Sequence, residues 1–309
     1  MHILKLSLYI TLILLYISSN FVVAGSNQRE NPPVKGKEAL NGEIEKNSFP
    51  IIEMQPDTSI CLEACIRRNQ MASVGFAVIQ EQCRLECNFE STLALLESSN
   101  KEDYARGVKA LTEMNDNRAV IPLIIALKKD LEERTGLWAW IIPALGSLGD
   151  PAATSVLIQT LTINDDYWLG REMSAKALGT IGDPSAIQPL LSAASRADTR
   201  DAAIKALVNF QDKRAVNIFL SALDPEEEEQ TRKAAIKGLH LLGSIAVPEM
   251  IKAFAYFSSE HPETSKRLAL CRLLGTSGDE RAIKMLQKSV TDPDKIIKQC
   301  VEEFLQVQK

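Results

Sequence analysis

The chain has 309 residues, 45% of them hydrophobic but only 6% aromatic, and a formal net charge of −5. That is enough material for one large domain or two small ones, and few aromatics with abundant Ala and Leu suit stacked helices better than a β-sandwich. The acidic balance makes nucleic acid a poor partner, since binding it depends on Lys and Arg neutralising phosphates, and none is expected.

Residues 1–24 read as a signal peptide. Lys5 marks the n-region, an apolar stretch runs from Leu6 to Ile17, and Ser18-Ser19-Asn20 lead to the small-residue site Val22-Val23-Ala24. Cleavage is predicted after Ala24. An uncleaved anchor is the alternative, because Ile3 to Ala24 is just long enough to span a bilayer. No Cys follows the apolar stretch, which argues against a lipid anchor. Cleavage removes Lys5 and no acid, leaving 34 basic against 40 acidic residues and a net charge of −6. The expected location is secreted or periplasmic, with no membrane contact once the signal is removed.

Residues 25–57 read as a disordered linker, with Pro32-Pro33, Gly36, Asn41-Gly42, Pro50 and Pro56 and almost no periodic apolar pattern. Only Phe49-Pro50-Ile51-Ile52 is apolar enough to dock in a groove.

Residues 58–99 carry the sharpest local signal, Cys61-x3-Cys65 and Cys83-x3-Cys87. The four-residue spacing puts each pair on one helical face. A turn near Ser73-Val74-Gly75 makes an antiparallel hairpin that aligns Cys61 with Cys87 and Cys65 with Cys83. Export favours two parallel disulfides, and a zinc site is the alternative, although structural zinc prefers tighter knuckles. The segment is similar to other twin Cys-x3-Cys helical hairpins, a convergent arrangement that carries no role with it. Redox exchange is disfavoured, because no Cys-x-x-Cys or βαβ pattern accompanies the cysteines. The second helix runs through Leu93, Leu95 and Leu96 directly into a repetitive region, so the hairpin is expected to be a stapled N-terminal cap.

From residue 100 to 309 the chain repeats itself. Ala110-Leu111, Ala144-Leu145-Gly146, Ala177-Leu178-Gly179, Ala206-Leu207, Gly238-Leu239 and Leu273-Leu274-Gly275 recur. Most are followed by an Asp-led turn such as Asp116-Asn117-Arg118, Gly149-Asp150-Pro151, Gly182-Asp183-Pro184, Asp212-Lys213-Arg214 or Gly278-Asp279-Glu280. The copy after Leu239 is degenerate. The anchor leucines are spaced by 34, 33, 29, 32 and 35 residues. Each unit reads as two helices, with Ala for close contact, Gly for a positive φ after the first helix, and Asp-Pro to start the second. Asp292-Pro293 starts a last, C-terminal capping helix.

This pattern resembles the HEAT-repeat family, in particular the short HEAT-like repeats also seen in phycobilisome lyases. The resemblance implies an all-α, right-handed α-solenoid of antiparallel helix pairs. The family carries a basic residue in the first helix, and Arg171, Arg200, Arg232 and Arg267 stand near that place, whereas Trp138 occupies it in the second unit. Cys271 and Cys300 lie on successive first helices at near but unequal offsets. A third disulfide between them and two buried thiols both remain open.

Catalytic signals are missing. The mature chain has two histidines, His240 and His261. HEAT-like metal-dependent hydroxylases use His-Glu pairs, but here His240 precedes Leu241 and His261 precedes Pro262. There is no Gly-x-Ser-x-Gly elbow, phosphate-binding Gly loop or His-Glu-x-x-His helix. Asp165-Asp166 and Glu226 to Glu229 have no His behind them, and carboxylates at helix starts mostly favour the helix dipole. No catalytic residue, metal or cofactor is expected, and the chain is expected not to be an enzyme.

One feature points to a partner. The loops entering the first helices carry Glu132-Glu133 and Trp138, Asp165-Asp166-Tyr167-Trp168, Glu226 to Glu229, and Glu260 with Glu263. They fall along one edge of a solenoid, so Trp138, Asp165, Asp166, Tyr167 and Trp168 are the candidate binding ridge, Trp and Tyr being common hot-spot residues. Core filling by the rings and simple helix capping by the acids is the other reading. The expected function is an exported scaffold or adaptor, without catalytic activity, that holds a protein or peptide on its concave face or on this ridge. The sequence leaves its oligomeric state undefined. The alternative that the resemblance implies is an enzyme or enzyme helper of the bilin-lyase type.

Overall fold

Asp183 shows how a repeat turns its corner. The preceding helix closes at Gly182, whose φ of 73° is a left-handed conformation that glycine adopts without steric cost. The Asp183 carboxylate then accepts a hydrogen bond from the Ser185 amide at 2.9 Å, with Pro184 opening a single 3-10 turn before the second helix. Asp116, Asp150 and Asp212 repeat the device on the amides of Arg118, Ala152 and Arg214. The Asp-Pro signal therefore starts a 3-10 turn, and the α-helix follows from Thr154 or Ile187.

The computed structural model describes residues 56–69, 76–163, 167–259 and 263–306, all within one unit, Met54–Lys309. The expected signal peptide, almost all of the linker and the turn at Ser73-Val74-Gly75 lie outside them. Among the described residues there are fifteen α-helices and no strand. The first five are α1 (Pro56–Asn69), α2 (Phe76–Ala94), α3 (Lys101–Met114), α4 (Val120–Glu133) and α5 (Trp138–Leu148). Next come α6 (Thr154–Leu161), α7 (Trp168–Ile181), α8 (Ile187–Ala193), α9 (Arg200–Leu207) and α10 (Val216–Ser221). The last five are α11 (Glu229–Leu242), α12 (Val247–Ser259), α13 (Thr264–Thr276), α14 (Glu280–Lys288) and α15 (Lys295–Gln306).

The first helices of successive repeats stack in order, α3 on α5, then α7, α9, α11, α13 and α15. The second helices form the other layer, α4 on α6, α6 on α8, α10 on α12 and α12 on α14. The fold is an all-α solenoid. Its core is one continuous cluster from Phe89 to Val301. Anchor leucines 111, 145, 178, 207, 239 and 274 are each fully buried, and burial of a Leu side chain contributes about 1.5–3 kcal/mol. Small residues set the spacing of the first layer: a Cβ on Gly146 would fall 2.9 Å from that of Ala177, and one on Gly179 would fall 2.6 Å from that of Ala206.

The N-terminal hairpin differs from the repeats. Helices α1 and α2 share a small core of Cys65, Ile79, Cys83 and Cys87, with Cys61, Leu62 and Ile66 at its margin. Disulfides join Cys61 to Cys87 and Cys65 to Cys83, with Cα separations of 5.8 and 5.6 Å. Helix α1 begins at Pro56, slightly before the linker was expected to end, because proline fits the first turn of a helix. Helix α2 packs on α3, and its Phe89 lies in the solenoid core beneath the Arg118 guanidinium, 4.4 Å from the ring centre.

At the other end a disulfide joins Cys271 of α13 to Cys300 of α15. The two helices are stacked neighbours, which brings unequal offsets within reach of one bond. Helix α15 starts at Lys295 and not at Asp292-Pro293. Asp294 caps it by accepting from the Ile296 amide at 2.9 Å, while Asp292 is drawn away to Arg267.

Candidate functional site: an aromatic edge and an arginine ladder

The start of α5 is fixed by a residue that the sequence did not advertise. Asp130, buried in α4, accepts hydrogen bonds from the amides of Leu137 (2.8 Å) and Trp138 (3.1 Å) and from the Thr135 hydroxyl. A carboxylate at that point satisfies unpaired amides and suits the helix dipole. It was hidden because Lys128-Lys129-Asp130 reads as a solvated charge run.

Trp138, placed in this way, packs against the core and meets Tyr167 of the next repeat, with ring centres 4.8 Å apart and planes at 59°. The Tyr167 ring also lies on the backbone of α7, where a Cβ on Gly170 would fall 2.1 Å from it. These two members of the predicted ridge are thus brought together as an inter-repeat packing pair. Trp168 is different. It remains 54% exposed, and Leu169 beside it and Trp140 on α5 are each 39% exposed. Asp165, Asp166, Glu260 and His261 lie outside the described residues.

Three of the described acids along this edge are engaged in ion pairs. Glu227 binds Arg200, Glu229 binds Lys233, and Glu263 with Asp224 holds Lys266. Burial opposes the charge on Lys266, but the two carboxylates outweigh it and raise its pKa.

The four basic residues form a ladder two helical turns before each anchor leucine. Arg171, almost fully buried, donates to the Ile163 carbonyl at 2.8 Å and to Asp198. Arg200 donates to the Ala194 carbonyl at 2.8 Å and to Glu227, and Arg232 to the carbonyls of Pro225 and Glu227. Arg267 binds Asp292 and sits 4.8 Å from the ring centre of Phe254. Arg171, Arg200 and Arg232 satisfy carbonyls at a loop or helix end, and Arg171, Arg200 and Arg267 pair with carboxylates of the following loop. Burial opposes the charge of Asp198, yet hydrogen bonds from Arg171 and Arg196 hold its carboxyl below the ordinary range. Among the described residues, no cluster of three His, Cys, Asp or Glu side chains is placed to hold a metal ion. No single described helix is long and apolar enough to cross a membrane.

The fold is that of an all-α helical repeat protein. Residues 139–199 and 160–240 match the HEAT repeats family. Such repeats generally offer extended surfaces to protein partners. No curated protein matches the sequence. The solved structure of human deoxyhypusine hydroxylase in complex with glycerol is similar over 71% of this chain and 95% of that one, at 16% identity and a TM-score of 0.37. That protein is an enzyme, which overturns the expectation that a chain of this architecture is non-catalytic, although no activity is carried over from it. The sequence argument failed because missing motifs cannot rule out chemistry on a repeat scaffold. The three disulfides point to an oxidising compartment.

Proposed function

We propose that this chain is an exported scaffold that holds a protein partner along the edge at the starts of α5 and α7. The observation that supports it is the exposure of Trp168 beside the packed Trp138–Tyr167 pair. An exposed aromatic ring at the start of a packed helix offers large contact area with few rotatable bonds to order, the usual basis of an aromatic hot spot. Export rests on the signal-like residues 1–24 and on the oxidising compartment that the disulfides imply, and mature protein beginning at Gly25 is the expected product of N-terminal sequencing.

The test is photo-crosslinking from position 169 in the native compartment, followed by affinity measurement with the captured protein. Trp168→Ala should weaken binding about thirtyfold, the consequence of losing about 2 kcal/mol at a hot spot. Unchanged affinity would remove this edge. The same preparation incubated with free bilin should show no spectral change, and a change would move the reading to the bilin-lyase type that the short repeats resemble.

A further inference from the structure

At three steps of the first-helix layer, counting Leu305 as the last anchor, the residue after an anchor leucine meets the residue before the next. Gly146 meets Ala177, Gly179 meets Ala206, and Gly275 meets the ring of Phe304, as the positions of added Cβ atoms show. At the α9–α11 step Gly238 lies instead against the ring of Phe219, and at the α11–α13 step the equivalent positions are His240 and Leu273, which both line the space between the helices. This last pair has neither Gly nor Ala. Two large side chains stand where the stack elsewhere closes, and α11 and α13 are separated by an open groove of about 420 Å³.

Ile236, Leu268, Ala269 and Leu273 give the groove an apolar lining. His240 and Arg272 supply its nitrogen-bearing groups, Ser265 and Thr276 its hydroxyls, and there is no carboxylate in the lining. Arg272 is exposed and has no ion-pair partner among the described residues, whereas the ladder arginines are all engaged. An exposed, unpaired guanidinium beside apolar surface, with no carboxylate in the lining, can pair with a carboxylate brought by a partner.

We propose that this groove is a docking site for a short segment of a partner protein in which bulky apolar side chains are flanked by Asp or Glu. The apolar side chains fill the space that His240 and Leu273 hold open, and a carboxylate pairs with Arg272. The site is separate from the Trp168 edge and does not depend on it.

The experiment uses the full mature chain and short fluorescein-labelled peptides carrying paired Leu or Phe flanked by Glu, beside the same peptides with Lys in place of Glu. Fluorescence anisotropy should show binding of the acidic set alone, weakening with added salt. Arg272→Glu should reduce affinity at least about tenfold, the scale expected for losing a charged pair at an interface. Ala269→Trp, which fills the groove, should abolish binding, while Trp168→Ala should leave it unchanged. Absence of binding, equal binding of acidic and basic peptides, or indifference to Arg272→Glu would each overturn the proposal. Circular dichroism on both groove variants confirms that they remain folded.

Discussion

Gly179 of α7 faces Ala206 of α9 so closely that a Cβ on the glycine would fall 2.7 Å from the alanine Cα. Backbone stands behind that contact, so no side chain can swing away to make room. Gly179→Val should therefore force the two helices apart and destabilise the solenoid by about 1–3 kcal/mol, the usual cost of overpacking. The measurement is the melting temperature, and an unchanged value would mean that the layer is not held at this distance.

The hairpin of α1 and α2 has so few apolar contacts that its disulfides must supply much of its order. Opening Cys65–Cys83, with a sequence separation of 18, should cost roughly 3 kcal/mol in the chain-entropy picture. Cys65→Ser with Cys83→Ser should accelerate amide exchange in α1 and α2 well before it affects α7 or α9. Non-reduced peptide mapping should recover Cys61–Cys87 and Cys65–Cys83, whereas stoichiometric zinc in protein from its native compartment would contradict both bonds.

Trp138 and Trp168 should part company on truncation. Trp138→Ala removes a ring packed on the core and on Tyr167, and should cost about 2–4 kcal/mol. Trp168→Ala removes a ring that is mostly in water and should stay within about 1 kcal/mol. Equal losses in denaturant unfolding would show that both rings are structural.

Acid should weaken the repeats through their capping aspartates. Hydrogen bonds from the Arg281 side chain and backbone lower the Asp279 pKa from 3.8 to about 2, and Asp198, Asp212 and Asp224 shift in the same direction. A carboxyl depressed in the folded state adds stability above its unfolded pKa and loses it as pH falls through the folded one. Melting temperature should thus fall between about pH 5 and pH 2. Asp279→Asn, which can still accept the Arg281 amide, should flatten that fall, and an unaltered pH profile would show that the charge contributes nothing.

The solenoid was legible because its signals are local and recur. Leu178, Gly182 and Asp183 declare a helix, its stop and its cap within a few residues. The Asp130 contacts were not legible, since a carboxylate that caps the following helix looks identical to one in water until the chain folds back. The Trp138–Tyr167 stack joins residues from separate repeats, so only the distance between helices decides whether the rings touch. The groove at His240 and Leu273 is an intermediate case. The anchor spacing contained the register, but its meaning depended on seeing which positions face each other.

The cystines also bear on how this molecule fails under load. Repeat arrays ordinarily unravel from their termini, where a unit has a neighbour on one side only. Here Cys61–Cys87 and Cys65–Cys83 stitch one end, and Cys271–Cys300 fastens α13 to α15 at the other. Each terminal unit is held together internally but not tied to its neighbour, so it should detach as a block when rupture begins under tension or protease attack. The stretch from α3 to α12, which includes the aromatic edge and one wall of the groove, is the part that no cystine spans, and local opening should concentrate there.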